Sequence, residues 1–155
     1  MESGLDAAEK YERGLALRKA GLFTQAIEEL EQAAACPAYA LKAHAQIGLC
    51  HKSRGRYEDA VTAFRRALKS QGSVKETVQI LYVLGRTLET LERTEETLEA
   101  YRWIRREDPE YRDVAERIRQ LSSGRRAASR ARSSSQPSWV GGVLQSWQGL
   151  LRLSK

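Results

Sequence analysis

The 155-residue chain has two cysteines, Cys36 and Cys50, too few for a disulfide framework. Both are expected as reduced thiols that pack like small apolar side chains, as in a cytoplasmic protein. No run of 18 apolar residues occurs, so no segment reads as a membrane-spanning helix. The opening residues, Met1-Glu2-Ser3-Gly4-Leu5-Asp6, carry neither the basic nor the apolar stretch of a secretory signal. No alternating apolar pattern marks a strand. Glycine-rich phosphate loops and serine elbows are missing, and no Cys/His pair sits in a nucleophile context. Acid is absent from residues 122–155, which hold Arg125, Arg126, Arg130, Arg132, Arg152 and Lys155. Residues 1–121 hold 20 Lys and Arg against 20 Asp and Glu. The net charge of +6 therefore belongs to the tail, and the basic pI does not argue that the body binds nucleic acid.

What is present is a period. Gly14, Gly21, Ala26 and Ala33 are answered 34 residues later by Gly48, Gly55, Ala60 and Ala67. Phe23 is answered by Tyr57, and Leu30 by Phe64. A period of this size marks stacked repeats, each unable to bury its apolar face alone. Helical spacing runs from Asp6 to Leu121 and predicts helices near 7–20, 24–35, 40–53, 57–70, 74–91, 95–107 and 110–121. Asp6 with Glu9, and Ser73 with Glu76, read as capping boxes. Asp108-Pro109-Glu110 reads as a helix start, with proline where its missing N–H costs nothing. Gly14, Gly48 and Gly85 fall in mid-helix, where glycine costs about 1 kcal/mol against alanine. That cost at equivalent places predicts a helix pressed close to its neighbour.

The pattern resembles the tetratricopeptide repeat, a two-helix unit. One unit reads His44-x2-Ile47-Gly48-x2-His51, then Ala60-x3-Phe64. The next reads Leu81-x2-Leu84-Gly85-x2-Leu88, then Thr97-x3-Tyr101 and Pro109. The first is weaker at its start but keeps Gly14, Leu17, Ala26 and Leu30. The resemblance implies an all-α, right-handed superhelical solenoid of three repeats with a solvating last helix, filling residues 1–121. The register slips by three residues between Gly48 and Gly85, which places a longer loop at Ser70-Gln71-Gly72-Ser73. Glu92 stands where a turn glycine is expected and Thr97 where alanine is, so the second helix of repeat three is expected to pack less closely. Trp103 is expected under Tyr111 and Val114.

The same resemblance implies a concave groove lined by the first helix of each pair. It assigns Tyr11, Glu12, Leu15, Arg18 and Lys19; then Lys42, Gln46, Leu49, Lys52 and Ser53; then Gln79, Tyr82, Val83, Arg86 and Glu89. This mixed surface, apolar in the middle with surplus base, suits an extended or helical peptide of some acidic character. A related subfamily clamps chaperone C-termini with Lys and Asn at five groove positions. Here those positions hold Tyr11, Leu15, Gln46, Gln79 and Val83, so that clamp is not expected. His44 and His51 share a helix face with Cys50 nearby but occupy positions that packing aromatics fill in the family. No metal, cofactor or catalytic residue is assigned, and a non-enzymatic adaptor is expected.

The tail reads as different material. Residues 122–136 are Ser, Arg, Ala and Gly without a large apolar group, the composition of a basic flexible linker. Residues 137–155 carry Trp139, Val140, Val143, Leu144, Trp147, Leu150 and Leu151 at helical spacing on one broad face. This amphipathic helix is expected to dock to its own groove, to a second copy in a homo-oligomer, or to a protein partner. An anionic membrane surface is the alternative, read by the arginine run with the tryptophans at the interface. The few bases on the segment's own polar face count against that alternative. Nucleic acid is the weakest option, because no base-stacking fold accompanies the arginines.

Overall fold

A glycine facing a bulky side chain recurs through the computed structural model, which describes residues 2–133. Among the described residues seven helices follow in order: α1 (Glu2–Lys19), α2 (Phe23–Ala34), α3 (Pro37–Ser53), α4 (Tyr57–Lys69), α5 (Val74–Thr90), α6 (Thr94–Glu107) and α7 (Val114–Ser133). No strand occurs among the described residues. A Cβ on Gly14 of α1 would lie 2.6 Å from Leu30 of α2, and one on Gly48 of α3 would lie 2.6 Å from the Phe64 ring of α4. A Cβ on Gly85 of α5 would meet the Tyr101 ring of α6 more closely still. The mid-helix glycines are there because the partner helix leaves no room for a side chain. Their 16-residue spacing to the facing residue survives the three-residue slip between repeats. The fold is an all-α solenoid of three helix pairs and a last helix.

Each apolar core is shared by neighbouring units. Ala26 and Leu30 of α2 pack with Ile47 and Cys50 of α3 and Ala63 of α4. Leu41, Ala60, Val61, Phe64, Ile80, Leu84 and Leu88 join α3, α4 and α5. Val78, Tyr82, Leu98, Tyr101, Ile104, Val114 and Ile118 join α5, α6 and the start of α7. An ion-pair group ties repeat two to repeat three: Arg93 reaches Glu58 at 2.9 Å and Glu96 at 2.8 Å, and Arg65 also pairs with Glu96.

The loops explain the register. Gly21 and Gly55 take left-handed φ values of 78° and 72°, which glycine adopts without steric cost. Glu92 takes the same role at φ 56°. The extra residues before α5 form more than a slack loop. Any side chain on Gly72 would run into Leu41, so the insertion lies against α3. Ser73 and Glu76 form a reciprocal capping box, the Ser73 N–H donating to Glu76 at 2.9 Å.

Four expectations change. The helix that was to be capped by Asp6 begins at Glu2, and Asp6 instead accepts from Lys10 at 2.7 Å. The last helix starts at Val114 rather than after Asp108. Asp108 accepts from the Glu110 N–H at 3.2 Å, and Arg112 at φ 46° cannot sit in a right-handed helix. Repeat three is not looser: Thr97 is fully buried and donates to the Arg93 carbonyl at 2.9 Å, returning its hydroxyl to the backbone. Finally, residues 122–133 are helical within α7, where composition had predicted a flexible linker. Alanine and arginine are strong helix formers, and they outnumber the single glycine there. Residues 1–121 form one compact unit, and residues from 122 onward belong to a second.

Candidate functional site

The predicted lining residues lie on α1, α3 and α5, and their equivalence is set by distance from the repeat glycine. One residue beyond it stand Leu15, Leu49 and Arg86; four residues beyond it stand Arg18, Lys52 and Glu89. Leu15, Leu49 and Val83 are half-buried, and the last two pack against the core between α3, α4 and α5. Glu12, Lys19, Lys42, Ser53 and Gln79 are exposed. Gln46, Lys52 and Arg86 are half-buried.

On α1 and α3 the side chains are tied together. The Tyr11 ring lies 5.5 Å from that of Tyr39, an aromatic neighbour that the periodicity does not mark. Burial raises the Tyr11 hydroxyl above its ordinary pKa, although the Gln46 side chain hydrogen-bonds to it and Arg18 stands close by. Two buried polar atoms here have no hydrogen-bond partner: Arg18 Nε and Gln46 Oε1. The Cys50 thiol is also raised by burial, which outweighs the nearby Arg18 and Arg54. It is an inert packing group rather than a reactive thiolate.

On α5 two predicted lining residues are committed elsewhere. Tyr82 is 9 % exposed, its hydroxyl donates to Asp113 at 2.8 Å, and its ring meets Tyr111 at 5.7 Å. The Arg112 guanidinium covers the same ring at 4.7 Å. Glu89 accepts from the Tyr101 hydroxyl and from Arg117 at 2.8 Å. Arg117 also reaches Asp113 at 2.7 Å. One polar chain thus runs Tyr101–Glu89–Arg117–Asp113–Tyr82 across α5, α6 and α7. Burial and the Glu89 carboxylate push the Tyr101 hydroxyl strongly upward. Burial opposes ionisation of Asp113, but the Tyr82 hydroxyl and Arg117 outweigh it and hold the carboxyl below its usual range. Asp113, Arg117 and Arg112 were not singled out in the sequence, because nothing in a charged helix start signals which partner it meets.

His44 and His51 line a notch of about 150 Å³ with Glu31, Ile47, Asp59, Thr62, Ala63 and Arg66. Burial lowers both imidazoles, helped by Arg66 at His44 and by Arg56 and Arg54 at His51, against Glu31 and Asp59. The shift favours the neutral form of both. Among the described residues, no group of three His, Cys, Asp or Glu side chains is arranged to hold a metal ion. None of the described helices is long and apolar enough to cross a membrane. Trp139, Val140, Val143, Leu144, Trp147, Leu150 and Leu151, the predicted docking helix, lie outside the described residues.

The successive helix pairs and the glycine contacts inside each pair define a tetratricopeptide-repeat protein. Residues 2–82 match the family described as "T7SS, ESX-1 secretion system protein EccA1, N-terminal domain", and the chain belongs to that family. No curated protein sequence matches the chain. Solved structures share the fold at low identity. The first TPR of Spaghetti (RPAP3), bound to the HSP90 peptide SRMEEVD, has a TM-score of 0.65 at 15 % identity, covering 78 % of this chain and 94 % of that one. MamA gives 0.65 at 18 % identity, covering 77 % and 68 %. The Yersinia enterocolitica type III secretion chaperone SycD, in complex with a peptide of the translocator YopD, gives 0.58 at 14 % identity, covering 81 % and 93 %.

Proposed function

We propose that this chain is a non-enzymatic adaptor whose α1–α3–α5 face holds an extended or helical peptide with acidic and apolar side chains. One observation carries the reading. Glu89, an acid that would balance this face, is committed to Arg117 and Tyr101. The assigned face then carries Arg18, Lys42, Lys52 and Arg86 together with half-buried Leu15, Leu49 and Val83, with the exposed Glu12 against them. Apolar contacts supply affinity and the bases select the partner's charge. The peptides held by RPAP3 and SycD support the same use of the fold. The clamp for a C-terminal carboxylate is not part of the proposal, because Leu15 and Val83 occupy two of its positions.

The test is fluorescence anisotropy with labelled peptides of alternating Glu/Leu and alternating Lys/Leu, each as free acid and as C-terminal amide. The expected result is selective binding of the Glu/Leu peptide, indifferent to amidation. Arg18→Glu with Lys52→Glu should weaken it at least ~10-fold, in line with two charge reversals at an interface. Equal binding of both peptides, or binding unaffected by the double charge reversal, would refute the proposal.

A further inference from the structure

The helical course of residues 122–133 does something that a loose linker would not: it sorts the arginines. At about 100° per residue, Arg126 and Arg130 fall on one side of a stripe formed by Ser122 and Ser129, and Arg125 and Arg132 fall on the other. All four arginines lie within about 160° of the helix circumference. Gly124, Ala127, Ala128 and Ala131 occupy the opposite side. Arg125, Arg126, Arg130 and Arg132 are exposed, and no acid follows Glu116 anywhere in the chain. The result is a one-sided cationic helical segment that follows a charge-balanced repeat domain in sequence.

We propose that this arginine face of α7 lies on an anionic lipid surface, acting together with the apolar residues that follow it in sequence. Two features choose lipid over other polyanions. Trp139, Val140, Val143, Leu144, Trp147, Leu150 and Leu151 follow shortly after the arginines. Valine and leucine have no use on a phosphate backbone, but acyl chains receive them, and tryptophan favours the headgroup boundary. Second, stable attachment of a peripheral protein takes two signals, an apolar insertion and a polybasic patch. The apolar segment alone has few bases, and α7 supplies the missing charge. Residues 122–133 carry no large apolar side chain to anchor in a protein groove, whereas an acidic headgroup layer asks only for charge at a surface.

The experiment uses the full chain in co-sedimentation with vesicles of phosphatidylcholine alone and of an equal mixture with phosphatidylserine. A variant with Arg125, Arg126, Arg130 and Arg132 all changed to Gln keeps helix-forming side chains and leaves the repeat domain untouched. Circular dichroism confirms that it folds. Binding to the acidic vesicles is expected, falling on the order of 100-fold or more in the Gln variant. It should also fall with added salt and in a Trp139→Ala/Trp147→Ala variant. Failure to bind acidic vesicles overturns the proposal, as does undiminished binding of the Gln variant. A mixed-sequence oligonucleotide bound more tightly than the acidic vesicles would assign the arginine face to nucleic acid instead. Loss of a dimer mass in the Trp variant, without any vesicle binding, would assign the apolar segment to a second copy. Either result overturns the lipid assignment.

Discussion

Arg117 of α7 closes on the Glu89 carboxylate of α5 at 2.8 Å. This contact joins the third repeat to the last helix, and the Tyr101 hydroxyl of α6 shares the same acid. Both charged side chains are about one-fifth exposed, so the pair is more than a surface decoration. Arg117→Met keeps the aliphatic stem and leaves Glu89 with one partner. It should cost about 1–3 kcal/mol, read by urea denaturation. Tyr101→Phe, which leaves the ion pair in place, should cost about 1 kcal/mol. Equal costs for the two changes would contradict this ordering.

The glycine rungs predict an inverted helix-propensity effect. On an open helix Gly→Ala stabilises by about 1 kcal/mol. At Gly48 the new methyl overlaps a Phe64 ring that is itself 1 % exposed. Gly48→Ala should therefore destabilise by about 1–3 kcal/mol. Phe64→Ala should cost about 3–5 kcal/mol, and the double variant should cost clearly less than the sum, because the cavity accepts the methyl. Additive costs in a double-mutant cycle would deny the contact.

Glu92 holds a left-handed turn that glycine holds at Gly21 and Gly55. The residue is exposed, so little but backbone strain is at stake. Glu92→Gly should raise stability by about 0.5–1 kcal/mol, the relief of strain outweighing the added freedom of the unfolded chain. Gly55→Ala should lower it by about 1–2 kcal/mol. Thermal melts of the two variants are the check.

Acid should loosen the first two repeats through His44 and His51. Burial, with Arg66 beside one and Arg54 and Arg56 beside the other, lowers both imidazoles below 6.5. The unfolded chain then binds protons that the folded chain refuses, so stability rises with pH. The contribution is whole above the unfolded value and is lost as pH falls through 6.5 towards the lower folded values. The melting temperature should drop between about pH 7 and pH 5, and His44→Gln with His51→Gln should flatten that drop. A profile unchanged by the double substitution would locate the acid sensitivity elsewhere.

The sequence by itself determined the helices, their pairing and the rungs. The reason is local: period, glycine placement and capping residues act within a few turns, so the Ser73–Glu76 capping box and the close approach at Gly14, Gly48 and Gly85 were readable as text. Equivalence between repeats, with the family resemblance, also assigns Leu15, Leu49 and Arg18 to the proposed face. Tertiary structure alone decided the fate of Tyr82 and Glu89. They occupy lining positions in register, but α7 arrives with Asp113 and Arg117 and takes both. Long-range electrostatic pairing leaves no periodic trace, and the left-handed Arg112 that delays α7 has none either. Composition described residues 122–133 as a linker, and the fold made them a helix. An arginine run counted in sequence carries only charge; wound at 3.6 residues per turn, it acquires a face.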